Sequence, residues 1–365
     1  MTYPTISLLE VLSEISDFRR ANQIKYSVEQ ILGLVFIALI AGVKHILHIE
    51  HFGKAHSGWF KEVLGLENPP SDTTIARVVQ SVSFSDLETA LMLWTEQIFD
   101  NKKVRTRIVI DSKKVTDGVT LTRALMLGVN QVIGCSKYNQ YESEIVNIPK
   151  VIKKLNKHGY LISIDAIGTQ TKIANQILSA NCDFLLPVKG NQKSLLEDLR
   201  LYIESEKCAA ETHETVEKNR GRNEKRKTYV FNDVDWLSKR HPHWKGIKSF
   251  ALLESYRRVN SSSESCNSRI YISSKIMDAR EFLHEIRSHW HIENMLHWVL
   301  NQSFEENKTH IKTFSSIINM STIMTSVLTL LFHFKEPGAS FNLQKMKLNW
   351  DLTHVEKILC LKAQP

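Results

Sequence analysis

The chain has 365 residues, of which 42% are hydrophobic, so it is long enough to form two or three packed units with a sizeable core. Its 47 lysines and arginines outnumber 39 aspartates and glutamates, and the net charge of +8 favours a polyanionic partner without requiring one. The five cysteines are scattered and never spaced C-x-x-C, which argues against a zinc ribbon or a disulfide framework and favours a reducing, cytosolic setting.

Helical periodicity runs from about residue 5 to residue 100. The apolar run at residues 31–43 is shorter than the roughly 20 residues that span a bilayer, so it predicts a buried helix and no membrane segment. After the turn at residues 68–70, Ser71 or Asp72 can cap a further helix. The pattern predicts an all-helical N-terminal domain over residues 1–103.

Short β-branched runs separated by polar turns begin at Arg107. Strand candidates lie at residues 108–110, 161–164 and 184–188, and at an apolar stretch from about residue 124 to 133; a helix candidate at residues 148–158 ends before Gly159. This order predicts an α/β domain over residues 104–335.

A polar segment at about residues 201–285 is rich in strand candidates and predicts a β-rich insertion into the α/β domain. It contains a basic cluster at residues 218–227, with six basic residues in ten positions. A helical pattern returns from about residue 279 to residue 334, and residues 336–365 are predicted to form a basic tail.

Three acidic residues stand out from this arrangement. Asp111 and Asp165 each follow a predicted strand, and Glu293 lies on a strongly amphipathic predicted helix. Taken singly, such an aspartate more often caps a turn, and such a glutamate more often forms a salt bridge. Together they predict a catalytic site in which carboxylate oxygens hold two divalent ions against a phosphodiester.

Short motifs occur in order along almost the whole chain. They are Asp17-Phe18-Arg19-Arg20, Pro70-Ser71-Asp72-Thr73-Thr74, Asp111 with Lys113, Ile164-Asp165-Ala166-Ile167-Gly168, Lys189-Gly190-Asn191-Gln192, Gly221-Arg222 with Glu224 and Arg226, Asp235-Trp236-Leu237, Tyr271-Ile272-Ser273-Ser274, His289-Trp290 with Ile292-Glu293-Asn294, and Leu296-His297-Trp298. In this order they resemble the H-repeat-associated branch of bacterial insertion-sequence transposases.

The resemblance implies an RNase H-like catalytic domain whose Asp, Asp, Glu triad is Asp111, Asp165 and Glu293, preceded by the family's associated N-terminal domain, which would bind DNA. It also implies two Mg²⁺ ions, with Mn²⁺ as a substitute, and double-stranded DNA at transposon ends and target. The protein would work as a homodimer on DNA, associated with the nucleoid in the bacterial cytoplasm. The alternatives are a recruited or decayed copy that only binds DNA, and a stand-alone nuclease.

Four departures from the family pattern leave the triad intact. Ser112 replaces a usual Gly, Tyr141-Glu142-Ser143-Glu144 replaces Lys-Ser-Asn-Glu, and two usual acids are Asn301 and Asn307. Asn301 lies about two helical turns beyond Glu293, so it is predicted, together with Asn294, to support the metal ligands without binding metal.

Eight side chains are predicted to contact DNA, on the basis of the motifs and of the basic cluster. They are Lys113, Lys189, Asn191, Arg220, Arg222, Lys225, Arg226 and His297. The alternatives are an ordinary glycine turn at residues 189–192 and a solvated loop at residues 218–227.

Two further patterns lie around Glu293. His289, Glu293 and His297 recur at four-residue steps, which could indicate zinc, but the spacing is not H-E-x-x-H and no cysteine is near in sequence. Trp290 and Trp298 are predicted to be core anchors, with stacking on a flipped base as the alternative.

Overall fold

The computed structural model describes residues 3–17, 19–20, 24–98, 107–155, 158–219, 222–259, 264–308, 311 and 313–361. Within these residues, helices from both ends of the chain flank a mixed β-sheet. The predicted α/β class, with a helical region before it, is confirmed.

Six helices form the described part of the N-terminal region: α1 (Leu8–Ser13), α2 (Val28–Ile40), α3 (Ile46–Ala55), α4 (Ser57–Leu64), α5 (Asp72–Ser81) and α6 (Phe84–Glu96). The predicted buried helix is α2, which lies almost entirely in the core. Of the two predicted caps for α5, Ser71 is the N-cap, because its hydroxyl accepts a hydrogen bond from the Thr74 amide at 3.3 Å.

The N-terminal helices share their core with the C-terminal part of the chain. Helix α13 (Phe314–Phe334) packs against α2, α5 and α6, and one hydrophobic cluster unites all four. Its 21 residues are apolar enough to cross a membrane, but 83% of its most apolar window is buried inside the protein. It is therefore the central core helix of the helical region, which includes more of the chain than residues 1–103.

Nine strands form the sheet in the part of the chain that the structure describes. They are β1 (Arg107–Thr116), β2 (Val119–Met126), β3 (Gln131–Tyr138), β4 (Leu161–Ile164), β5 (Asp183–Val188), β6 (Glu211–Asn219), β7 (Arg222–Phe231), β8 (Ser249–Val259) and β9 (Ser265–Ser273). Their order is β3-β2-β1-β4-β5-β9-β8-β7-β6; β1, β4 and β5 are parallel, and the other pairs are antiparallel.

One strand prediction needs correction, and the structure makes another more specific. The apolar stretch at about residues 124–133 is not one strand but the hairpin between β2 and β3, because Gly128 and Asn130 both take a positive φ that turns the chain. The segment at about residues 201–285 is β-rich as predicted, but β9 pairs with β5. Its strands therefore continue the sheet of the α/β domain.

Helices cover both faces of the sheet. On one face lie α7 (Glu144–Lys154), α8 (Thr171–Ser179), α9 (Lys193–Glu206) and α10 (Asp235–Arg240); on the other lies α11 (Ala279–Ser288). The predicted helix at residues 148–158 is α7, which begins four residues earlier and ends four residues earlier.

The helical pattern predicted from about residue 279 to residue 334 is divided among several helices. After α11 come a π-helical turn (Ile292–His297), α12 (Trp298–Phe304), and a break at Glu305, whose φ is +55°. Side-chain spacing alone does not reveal such a break, because π turns and left-handed residues depend on tertiary packing.

The predicted basic tail contains two helices, α14 (Phe341–Trp350) and α15 (Leu352–Leu359). The Lys345 side chain is buried: its Nζ donates to the Ser303 carbonyl at 2.7 Å and lies 3.3 Å from the centre of the Phe304 ring. Burial lowers the pKa of Lys345 to about 7. The basic composition of this segment does not reveal that Lys345 contacts the end of α12.

Candidate active site

The first two predicted catalytic residues lie on neighbouring parallel strands. Ile110 of β1 pairs with Ile164 of β4, so Asp111 and Asp165 are the next residues along the two strands. Strand β4 ends there, as predicted, but β1 continues through Thr116, paired with β2 alone. Asp111 is therefore fixed within the sheet, at the point where parallel pairing stops.

Asp165 also caps the turn that follows it. Its Oδ1 accepts hydrogen bonds from the amides of Ile167 at 3.2 Å and Gly168 at 3.4 Å, which leaves Oδ2 for another partner. A Cβ at Gly168 would lie 2.3 Å from the Ile164 side chain, so this close approach requires glycine. The turn-cap alternative is thus confirmed for Asp165, and the same hydrogen bonds orient its carboxylate.

Asn191 and Lys189 lie beside this turn. The Asn191 amide donates to the Ala166 carbonyl at 2.7 Å and so holds the turn in place. Burial raises the pKa of Asp165, while the two amides and the positive charge of Lys189 oppose that rise. Lys189 is exposed and remains available to a phosphate, whereas the Asn191 amide is already used.

Glu293 is exposed on the π-helical turn, which packs against β1. A π turn widens the helix locally, so residues four apart no longer share one line. His289 and His297 accordingly have different partners: His289 Nδ1 lies 3.1 Å from the Ser163 hydroxyl, and His297 Nδ1 lies 3.5 Å from Asp111 Oδ2.

The three carboxylates interact electrostatically. Burial is the main reason that the pKa of Asp111 is raised to about 7, and the negative charges of Glu144, Asp165 and Glu293 raise it further. Among the described residues, however, no three Asp, Glu, His or Cys side chains are close enough together to hold a metal ion as they stand. The carboxylates would have to converge on a cation.

Sequence analysis missed Glu144, the first residue of α7. Burial raises the pKa of Glu144; hydrogen bonding from Ser112 opposes the rise, and the charge of Asp165 adds to it. Its Oε1 is buried without a hydrogen-bond partner among the described residues. A signal did exist, since Glu144 is the one position of the Tyr141-Glu142-Ser143-Glu144 segment that keeps the residue type usual in the family.

Lys113 points into the protein interior, so its predicted DNA contact needs correction. Its Nζ forms an ion pair with Glu306 and donates to Asn301 Oδ1 at 2.6 Å and to the His297 carbonyl at 3.2 Å. Arg123 binds the same glutamate at 2.7 Å. Lys113 therefore takes part in a buried ion-pair network, which the order of residues in the sequence does not reveal.

His297 is buried as well, so its predicted DNA contact also needs correction. Burial lowers the pKa of His297 to about 3, and the nearby charges of Arg123 and Lys113 lower it further. The imidazole is therefore neutral at physiological pH, and its contact with Asp111 is not a charged pair. At 3.5 Å it is also too long for a strong hydrogen bond.

Acidic neighbours already compensate much of the basic cluster at residues 218–227. Lys225 forms an ion pair with Glu214 at 2.9 Å, and Arg226 pairs with Glu217 at 3.2 Å and with Glu224. Arg220 lies outside the described residues, and only the backbone of Arg222 is described. The cluster is therefore less cationic than its sequence indicates.

The prediction that Trp290 and Trp298 are core anchors is wrong, because 44% and 60% of their surfaces are exposed. Trp290 instead lines a groove of about 900 Å³ between α11 and the outer strands β6–β9. The Arg269 guanidinium lies 5.8 Å from the centre of its ring. The apolar pattern of this helix did not show that these two rings face outward.

The groove is cationic, although three of its five arginines have acidic partners. One glutamate, Glu224, lines it together with five arginines, which are Arg226, Arg257, Arg269, Arg280 and Arg287. Arg269 and Arg280 have no acidic partner within 4.0 Å in the described part of the chain. Asn294, the residue next to Glu293, also lines the groove, so the groove extends to the neighbour of the candidate catalytic glutamate.

Comparison with known proteins gives consistent likenesses. The chain matches the family model DDE_Tnp_1-associated over residues 9–95 and the model Transposase DDE domain over residues 119–330, a range that includes Asp165 and Glu293. "Putative transposase YncI" of Escherichia coli O157:H7 is 31% identical over 369 residues, which cover 97% of this chain and 94% of that protein.

Two further likenesses cover nearly all of this chain. "H repeat-associated putative transposase YhhI" of Escherichia coli strain K12 is 29% identical, covering 96% of this chain and 97% of that protein. The cryo-EM structure of a piggyBac transposase synaptic complex with hairpin DNA is similar with a TM-score of 0.48 and 11% identity, covering 99% of this chain and 80% of that one.

Proposed function

Because this chain belongs to the family of DDE transposases, we propose that Asp111, Asp165 and Glu293 are its catalytic carboxylates. It is a DNA transposase, an enzyme that cleaves and rejoins DNA, and its family generally depends on divalent metal. The observation that carries the residue assignment is the placement of Asp111 and Asp165 side by side, with Glu293 close enough to raise the pKa of Asp111.

The donor set suits a hard divalent cation, in this proposal two Mg²⁺ ions with Mn²⁺ as a substitute. Carboxylate oxygens are the ligands such ions prefer. The nearest buried cationic side chains, Lys113 and Arg123, both pair with Glu306, and among the described residues neither forms an ion pair with Asp111. Bound there, divalent ions would help to activate a water or 3′-hydroxyl and would stabilise the leaving oxygen.

The chain's own residues orient this site. The sheet fixes Asp111, two backbone amides hold Oδ1 of Asp165, and the neutral His297 ring packs beside Asp111 without adding charge. Because the pKa of Asp111 is about 7, its carboxyl binds a proton at neutral pH in part of the molecules. Cation binding would therefore release a proton from it.

The DNA backbone would lie along the arginine-lined groove, which extends to Asn294 beside Glu293. Arg269 and Arg280 would meet phosphates, Lys189 would meet a phosphate beside Asp165, and the exposed face of Trp290 could stack on a base. We further propose double-stranded transposon ends and target as substrates, bound by a homodimer in the bacterial cytoplasm at the nucleoid, because a transposon presents two ends to be held together.

The test is cleavage of DNA that carries the chain's own flanking sequence, in Mg²⁺ or Mn²⁺. Asp111→Asn, Asp165→Asn and Glu293→Gln should each abolish metal-dependent cuts and leave DNA binding in gel shifts intact. The matched control is Asp117→Asn, because Asp117 is a fully exposed turn residue whose ion pair, with Lys114 at 2.7 Å, lies on the surface. Any of the three variants that still cuts near the unmodified rate shows that its residue is wrongly assigned.

A further inference from the structure

Glu144 occupies an unusual position for a half-buried glutamate. It is the first residue of α7, where a carboxylate often points outward to solvent and interacts with the helix dipole. Its Oε1 is instead fully buried, and it is the one buried carboxylate oxygen among the described residues that lacks a hydrogen bond. Leaving such an oxygen unpaired costs free energy, so its placement calls for a partner that the folded chain does not itself supply.

The surroundings of Glu144 are also acidic. Its charge acts on Asp111, and the charge of Asp165 acts on it in turn. A structural role would be met by a nearby lysine or arginine, as at Glu306, where two cations share one carboxylate. Glu144 has no such ion pair in the part of the chain that the structure describes. Four carboxylates near one another repel, and a divalent cation is the partner that removes that repulsion.

We propose that Glu144 is a fourth carboxylate ligand of the cation site formed by Asp111, Asp165 and Glu293, an inference that rests on the proposed function. Helix α7 packs against β2 and β3, so it brings Glu144 to the site from an element separate from those carrying the other three. Ser112 supports this placement: it follows Asp111 in the chain, its hydroxyl lies 2.7 Å from that of Thr122, and it is close enough to Glu144 to lower the pKa of that glutamate.

Glu142 provides a matched control two residues away. It is exposed, and its Oε2 already accepts hydrogen bonds from Asn147 at 3.1 Å and Lys150 at 3.3 Å. The change from glutamate to glutamine is the same at both positions. Of these two glutamates, only Glu144 should influence cation binding.

The experiment measures Mn²⁺ binding to the full chain without DNA, by electron paramagnetic resonance of free Mn²⁺, together with thermal unfolding with and without Mn²⁺. Glu144→Gln should weaken Mn²⁺ binding at least about tenfold, as expected when a ligand is removed. It should also raise the unfolding temperature of the metal-free protein, because one repelling charge is gone. Glu142→Gln should change neither quantity in these directions.

A second substitution guards against a folding defect. Glu144→Asp keeps the charge and shortens the side chain, so it should weaken Mn²⁺ binding less than Glu144→Gln does while unfolding cooperatively. Unchanged Mn²⁺ affinity in Glu144→Gln, or a metal-free protein destabilised by that change, overturns the proposal and leaves Glu144 as a structural partner of Ser112.

Asp165→Asn separates this inference from the function on which it rests. Loss of Mn²⁺ binding in Asp165→Asn with unchanged binding in Glu144→Gln refutes the role of Glu144 alone. Unchanged binding in both refutes the cation site itself, and with it the assignment of the catalytic carboxylates.

Discussion

Asp111 and Lys113 are two residues apart on β1, and they belong to oppositely arranged charged regions. Lys113 lies in a buried ion-pair network in which Glu306 binds both Lys113 and Arg123. Asp111 lies in an acidic region with Asp165, Glu293 and Glu144, where like charges meet. One strand thus supports a balanced region, in which opposite charges pair although two cations share one carboxylate, and an acidic region, in which like charges meet.

The pKa values show the same contrast. Burial opposes ionisation of Glu306, yet the positive charges of Arg123 and Lys113 hold its pKa at about 2. Burial and neighbouring carboxylates raise the pKa of Asp111 to about 7. Ion pairs within the chain hold buried charges in place, whereas unpaired like charges are typical of a site that binds a ligand. The comparison predicts opposite effects when a charge is removed from each.

The largest effect is expected for Glu306→Gln. Removing this carboxylate leaves Lys113 and Arg123 buried without their shared counter-ion, so the free energy of unfolding should fall by about 3–5 kcal/mol. Urea denaturation at pH 7 measures the change. The matched control is Glu336→Gln, because Glu336 pairs with Lys347 on the surface and its removal should cost at most about 1 kcal/mol. Equal decreases in both variants would mean that the buried network contributes no more than a surface pair.

The two regions should also respond to pH in opposite directions. The pKa of Glu306 is depressed below its ordinary value of 4.5, so its contribution to stability is present above about pH 4.5 and is lost as the pH falls towards about 2. The pKa of Asp111 is raised above 3.8, so its contribution is present below about pH 3.8 and is lost as the pH rises through about 7.

Asp111→Asn should therefore stabilise the metal-free protein at pH 8, by an amount on the order of a few kcal/mol, and change little at pH 4. Urea unfolding at both pH values in the presence of a chelator tests this. Added Mg²⁺ should reverse the order at pH 8, because only the parent gains from the cation. A variant that is less stable than the parent at pH 8 without metal would show that Asp111 belongs to the balanced region.

The sequence predicted the acidic region better than the balanced one. Asp111 and Asp165 could be recognised because each follows a β-branched run, and such runs form adjacent parallel strands. Nothing local distinguishes Lys113 or Glu306, whose pairing joins positions 193 residues apart. For the same reason, the sequence alone favours a DNA contact for Lys113.

The sequence also did not predict the detailed geometry of the helices. The π-helical turn at Ile292–His297 and the left-handed Glu305 interrupt a segment whose spacing predicts a helical pattern without showing where it breaks, because tertiary packing selects both features. The burial of Glu144 depends on how α7 docks on the sheet, which residue types do not encode.

A third prediction concerns DNA binding and again compares paired with unpaired charges. Replacing Arg269 and Arg280 by glutamine should reduce the slope of log affinity against log salt by about 0.9 for each phosphate that is no longer neutralised, whatever the DNA sequence. Replacing Lys225 and Arg226, which already have acidic partners, should reduce it less. Salt titrations of both double variants measure the slopes. A larger reduction for Lys225 and Arg226 would place the DNA on the β6–β7 hairpin instead of in the groove.

The smallest effect is expected at Asn301, where the two regions meet. Asn301 Oδ1 accepts a hydrogen bond from Lys113 at 2.6 Å, so it touches the balanced network and not a carboxylate of the acidic region. Asn301→Asp would add a negative charge beside Lys113 and weaken the positive field that Lys113 exerts towards Asp111 and His297. A weaker positive field favours a bound cation, so the Mg²⁺ concentration for half-maximal cleavage should fall, by less than about tenfold because Lys113 screens the new charge.

Asn307→Asp is the control for this last change, because Asn307 is exposed and adds the same charge outside the network. A Mg²⁺ titration of cleavage by the parent and both variants gives the three midpoints. If only the Asn301→Asp midpoint falls, the charge added to the network acts electrostatically on the catalytic carboxylates. Identical midpoints for the parent and Asn301→Asp would mean that the two regions are electrostatically independent despite sharing β1. A parent chain that is inert at every Mg²⁺ and Mn²⁺ concentration would instead indicate that this copy no longer performs the chemistry.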